Sequence, residues 1–170
     1  MKEMRETKDK KAAHGHAIHA QHKALKNHCF VCGPENPDGM HLKFYFDEPG
    51  RRAVCKFKLS RRYQGPPGHA HGGIIATILD EAMGKVNKLS SVIALTKRMD
   101  VEYLKPVPLG KLLIVTGHPQ HIEGRMYVNV AEITNEQGEV LARSTGTFIA
   151  IDPVKMFAKF VATQKSRQKR

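Results

Sequence analysis

The sequence predicts one domain of the α+β class, an antiparallel β-sheet wrapped around a single central α-helix, and three observations carry that prediction. Between Ile74 and Val86 the apolar residues Ile74, Ile75, Ile78, Leu79, Ala82, Met83 and Val86 recur at intervals of three and four, a period that only an α-helix gathers onto one broad stripe. Four segments of strand character follow, with no second convincing helix before the C-terminal tail. Two shorter alternating segments precede the helix, joined as a hairpin by Glu48-Pro49-Gly50-Arg51. A lone core helix must be covered on its apolar stripe, and an antiparallel sheet covers it by curling round it. At 170 residues the chain has room for one real core but not for two comfortable domains.

In chain order, residues 1–27 are polar, rich in Lys and His, and offer little apolar pattern beyond Ile18 and Leu25. They read as a basic, flexible extension. His14, His16, His19 and His22 have spacings that can converge on one ion, yet no carboxylate or cysteine is arranged with them. Cys29 and Cys32 stand at the C-x2-C spacing of a zinc knuckle, beside His28. No second pair follows, and only His41 and Cys55 are within reach in sequence, so the segment is read as a Gly/Pro-rich loop with small thiols and no metal.

Met40, Leu42, Phe44 and Phe46 alternate with polar residues as a strand with one buried face; Ala53, Cys55, Phe57 and Leu59 do so on the return. Residues 60–70, with Gly65, Pro66, Pro67 and Gly68, form a loop that delivers His71 to the helix. The helix is expected to end between Asn87 and Ser90. Strands are then expected over 92–104, 112–118, 126–134 and 140–151, divided by 106–110, 119–124 and 135–138. Residues 153–170 read as a short basic amphipathic helix and tail, with apolar Val154, Phe157, Ala158 and Val161. The domain proper is therefore 28–152.

The chemistry sits in His71 to Gly84, HGGIIATILDEAMG. Asp80 lies off the apolar stripe, and helical geometry places the small residues Ala76, Thr77 and Gly84 beside it. A carboxylate midway along a largely buried helix is costly unless partnered or used. At the helix start, Gly72 and Gly73 bring N–H groups that lack intrahelical partners and carry partial positive charge, with no side chain to hold a ligand off. Together these make a site that could hold an oxyanion and act on it with a carboxylate.

The HGG-x6-D pattern, together with LTKRMDVEYLKPVPLG downstream and CFVCGPENPDGMHLKF upstream, resembles the PaaI-like acyl-CoA thioesterases of the hotdog-fold superfamily over roughly residues 28–152. The resemblance implies that Gly72 donates its N–H to the thioester oxygen, that Asp80 is general base or nucleophile, and that the Thr96 hydroxyl holds the acid or the attacking water. It implies an orienting role for His71 and a substrate-binding one for Gly73. Gln64 stands near where some relatives carry an asparagine that positions substrate or water. No cofactor is implied; the substrate would be an acyl-CoA. Gly72 and Asp80 are eight residues apart, about 12 Å along one helix at 1.5 Å per residue, so one carbonyl cannot touch both. The acid would have to come from a second copy, in a homodimer that in many relatives pairs again into a tetramer. The alternatives are a non-catalytic acyl-CoA-binding module and nucleic-acid binding through the basic tails.

The charge of +12 is concentrated in the tails: residues 1–28 carry +4 and residues 153–170 carry +6. The domain lacks the basic stripe interleaved with aromatics that nucleic-acid recognition uses, which argues against that partner even though the tails alone could bind polyanions. An odd number of cysteines, three, with no secretory leader in the sequence, leads us to expect a soluble, cytoplasmic, reducing setting. No apolar run approaches a membrane span.

Overall fold

The computed structural model describes residues 26–158. The expected tail features, including His14, His16, His19 and His22 and the chain beyond residue 158, lie outside them. Six strands form one antiparallel sheet: β1 (Tyr45–Asp47), β2 (Arg52–Phe57), β3 (Ala94–Tyr103), β4 (Leu113–Glu123), β5 (Met126–Asn135) and β6 (Val140–Ala150), in the spatial order β1-β2-β4-β5-β6-β3. The central helix α1 spans Gly72–Val86 and ends in a 3-10 turn at Asn87–Ser90.

Ile75, Ile78, Leu79, Ala82, Met83 and Val86 are all buried, so the stripe read from the spacing is the buried one. The first five of these pack in one core with Phe57, Leu113, Val115, Ala131, Ile133 and Phe148. The helix lies close enough that a Cβ at Gly117 on β4 would stand 2.6 Å from the Ala82 carbonyl oxygen, and one at Gly146 on β6 would be 2.9 Å from a Met83 methyl carbon. Glycine at those two positions lets backbone and helix touch. Replacing a fully buried aliphatic in this interface, such as Ile78→Ala, would cost about 2–5 kcal/mol.

Two boundaries differ from the sequence expectation. The first strand is regular only over Tyr45–Asp47; the N–H groups of Met40 and Leu42 instead donate to the carbonyls of Phe30 and Val31, at 2.8 Å each. The stretch is extended, and Met40, Leu42 and Phe44 do pack against the core, but its backbone partners belong to the cysteine loop. Conversely, β4 does not stop at His118 but continues through Pro119 to Glu123, with its register against β5 shifting between Pro119 and His121. A proline cannot donate to a ladder and is tolerated where a bulge relieves that position. Residues 153–158 are helical, with Asp152 Oδ1 accepting from the N–H groups of Val154 (3.0 Å) and Lys155 (3.2 Å). No helix among the described residues is long and apolar enough to cross a membrane.

Candidate active site

At the start of α1 the loop 60–70 folds back on the helix: the His71 N–H donates to the Tyr63 carbonyl (2.9 Å), and Gln64 bridges to Ala70. His71 is the N-cap. Its Nδ1 accepts from the Gly73 N–H at 3.0 Å, which requires that nitrogen to be unprotonated and leaves the ring proton on Nε2. The His71 carbonyl accepts from both Ile74 and Ile75. Of the first four N–H groups of the helix, Gly72 alone is left without a partner among the described residues. That free donor sits at the positive end of a 15-residue helix.

Tyr103, at the end of β3, donates its hydroxyl to the Gly72 carbonyl at 3.1 Å, and its ring lies 3.6 Å from where a Gly72 Cβ would be. Sequence reading missed Tyr103, since nothing in the local pattern announces a contact across 31 positions. The Thr77 hydroxyl donates to the Gly73 carbonyl at 2.8 Å, so it serves the helix rather than Asp80. The Gln64 side chain is exposed, without a described hydrogen-bond partner.

Two turns further along, the Thr96 hydroxyl donates to Asp80 Oδ1 at 2.8 Å. The strand that carries Thr96 is irregular at that spot: the β3–β6 register shifts between Thr96 and Arg98. Ala94 packs inward before the bulge and Met99 and Val101 do so after it, a change of parity that one extra residue produces. Asp80 is half-buried. Burial raises its acid above the ordinary carboxylate value, the Thr96 hydrogen bond opposes that rise, and the neighbouring Glu81 charge adds to it.

The molecule thus has two polar clusters on one helix. Asp80 and Thr96 share one, while Gly72, Gly73 and His71 share the other with Tyr103. The described chain does not bring Gly72 and Asp80 together, in keeping with their eight-residue separation on α1.

An antiparallel sheet curled around one buried helix is the hotdog fold, and here that helix carries an acid bonded to a strand hydroxyl. The sequence profile of the thioesterase superfamily matches residues 67–142. Rat acyl-coenzyme A thioesterase THEM4 is 33% identical over 118 residues, covering 69% of this chain and 51% of that protein. A crystallised thioesterase superfamily protein superposes with a TM-score of 0.69 at 31% identity, covering 72% of this chain and 60% of its own. A hypothetical thioesterase from Streptococcus pneumoniae, solved with coenzyme A, gives 0.60 at 25% identity over 64% of this chain and 87% of its own. By sequence and by fold the chain is related to proteins of the thioesterase superfamily. It spans about half the length of the rat relative.

Proposed function

We propose that this chain hydrolyses acyl-CoA thioesters, and the observation that carries the reading is the Thr96–Asp80 hydrogen bond at 2.8 Å on the central helix. An acid whose pKa is raised by burial is a better proton acceptor than an ordinary carboxylate. With Oδ1 held by Thr96, the second oxygen faces an incoming water. Asp80 takes the proton as the water attacks the thioester carbon; the carbonyl oxygen becomes an oxyanion held by the Gly72 N–H, and the collapse expels the CoA thiolate. Direct attack by Asp80 to give a mixed anhydride is the other route. His71 orients the donor loop, and Gly73 and Gln64 flank the substrate's entry.

Because no single carbonyl reaches both Gly72 and Asp80 of one helix, the site we propose is shared between two copies of the chain. Support comes from β3, an edge strand ten residues long that exposes Leu95 (45%) and Tyr103 (54%) and, among the described residues, pairs on one side only. Such an edge is a ready partner for a second strand. The coenzyme A-bound S. pneumoniae protein was also crystallised with an aspartate, and separately a threonine sixteen positions later, replaced by alanine. Asp80 and Thr96 stand at that same separation.

The test is thiol release from a panel of short, medium, long and aromatic acyl-CoAs. Asp80→Asn is expected to lose about 10²-fold or more of turnover while staying folded, since the amide keeps the shape and cannot accept the proton. Turnover within threefold of the wild type would remove Asp80 from the reaction. Wild-type protein that binds acyl-CoA and releases no thiol from any member of the panel would make the chain a binding module.

A further inference from the structure

Away from the acyl site, the cysteine loop meets α1 in a cluster that the reaction does not use. Cys29 Sγ, Cys32 Sγ and a Glu81 carboxylate oxygen lie within 4.8 Å of one another, all three residues half-buried. The sulfur of Cys29 is 3.7 Å from Glu81 Oε2. Tetrahedral coordination with bonds near 2.3 Å to sulfur and 2.0–2.2 Å to oxygen separates such ligand atoms by about 3.6 Å. The loop is held in shape independently of the thiols: the Gly33 N–H donates to the Cys29 carbonyl (2.9 Å), and the Asn27 N–H to the Glu35 carboxylate (2.9 Å). A Cβ at Gly33 would fall 2.4 Å from the Cys29 nitrogen, so the turn closes tightly on itself. This turn puts the two thiols side by side, facing the helix.

Lys85 completes the picture. Its ammonium stands 3.0 Å from Cys32 Sγ and 2.9 Å from Glu81 Oε1. With both thiols protonated, Glu81 and Lys85 balance; with both ionised, the cluster carries two surplus negative charges, which one divalent ion neutralises. An N–H donor on a thiolate is the usual outer partner of a metal-bound sulfur. We propose that Cys29, Cys32 and Glu81 form a binding site for one zinc-class divalent ion, with Lys85 as the charge-balancing partner of the Cys32 thiolate and a fourth position left to water or another small ligand. Burial, reinforced by Glu81, pushes the Cys32 thiol up to about 11, so this thiolate waits for a cation to form it. Binding is M²⁺ plus two thiols and one carboxylate, giving the complex and two protons to solvent. The site is separate from the thioester reaction: it uses none of Gly72, Asp80 or Thr96.

The experiment titrates Co²⁺ into the full chain, purified without chelator or affinity tag and kept reduced, with free thiols counted beforehand. The expected result is a thiolate-to-cobalt charge-transfer absorption that saturates at one ion per chain, releases two protons per ion in weak buffer, and is displaced by Zn²⁺. The histidines of residues 1–25 give no such band, since imidazole lacks it. Cys29→Ser and Cys32→Ser should each abolish the band. Glu81→Gln should keep the thiol pair and weaken Co²⁺ binding about tenfold or more, as loss of a ligand does; it covers the case in which a serine variant fails to fold. Absence of the band in protein whose thiols count as free would overturn the site, as would unchanged affinity in folded Glu81→Gln. Recovery of Cys29 and Cys32 as a disulfide that forms readily even with Zn²⁺ in excess would also overturn it, and would make the pair a redox couple.

Discussion

The reading of Asp80 turns on a competition between two forces at one carboxyl. Burial favours its neutral form, the Thr96 hydroxyl favours the charged one, and burial wins. If Asp80 is the base, the acid limb of kcat/KM lies above the ordinary carboxylate value of 3.8 and moves higher still in Thr96→Ala, which removes the opposing bond. A pH profile of the two proteins checks this; a limb that moved down, or stayed put, would separate Thr96 from the titrating group. Turnover above the limb should fall only up to about tenfold in Thr96→Ala, the worth of one hydrogen bond at about 0.5–1.5 kcal/mol. The sign for stability is opposite to that of a salt-bridged acid. A carboxyl raised in the folded state costs nothing below 3.8 and imposes its full cost above its folded value. Asp80→Asn is therefore expected to melt no lower than the wild type at pH 7, a shift read directly by thermal denaturation. Asp80 and Thr96 were legible in the sequence because helical spacing and a family-like pattern single them out. Glu81, Lys85 and Tyr103 were not, since each acts through a partner from 31 to 53 positions away and periodicity says nothing about which faces meet.

At the scale of elements, α1 gave itself away through its stripe, and its start through the glycine pair after His71. The strands were legible as segments but not in their irregularities. The bulge at Thr96–Arg98 inserts one residue into an otherwise alternating run, visible only as Ala94 falling out of step with Met99 and Val101. Pro119 reads as a strand breaker and is in fact a strand residue at a register shift. The helix start offers a clean subtraction. Gly72 is the first helical residue, where proline's fixed φ is welcome, and His71 before it is extended at φ −66° and ψ 138°, the conformation a following proline demands. Gly72→Pro therefore deletes the single free N–H without unseating the helix. Turnover is expected to drop about 10²–10³-fold, as when an oxyanion donor is lost, with circular dichroism unchanged. Turnover within threefold of the wild type, in protein with that helical signal intact, would move the oxyanion site elsewhere. By contrast Gly117→Ala strikes packing, because its Cβ would meet the Ala82 carbonyl at 2.6 Å; about 1–3 kcal/mol of stability should go, measured by urea denaturation.

For the whole molecule, what was legible is the domain: one helix, an antiparallel sheet, and basic ends. Assembly is the part a single chain does not display, and it is where the site proposal is most exposed. Gly72→Pro and Asp80→Asn, each nearly inactive alone, should recover activity when unfolded together and refolded, because a mixed dimer holds one site with neither lesion. Mixed dimers confirmed by native mass spectrometry but inactive would mean that each site draws both residues from one chain. The distance between the two clusters on α1 then has a consequence for inheritance. A copy carrying only Asp80→Asn leaves half the sites of every mixed dimer working, so its damage is diluted by a normal partner. A copy carrying both Gly72→Pro and Asp80→Asn spoils the normal chain's donor with its missing acid and the normal chain's acid with its missing donor. Co-expressed in equal amounts and pairing at random, it would leave about a quarter of the dimers active. Two lesions on one chain would then behave as a dominant poison, while the same two lesions on separate chains complement.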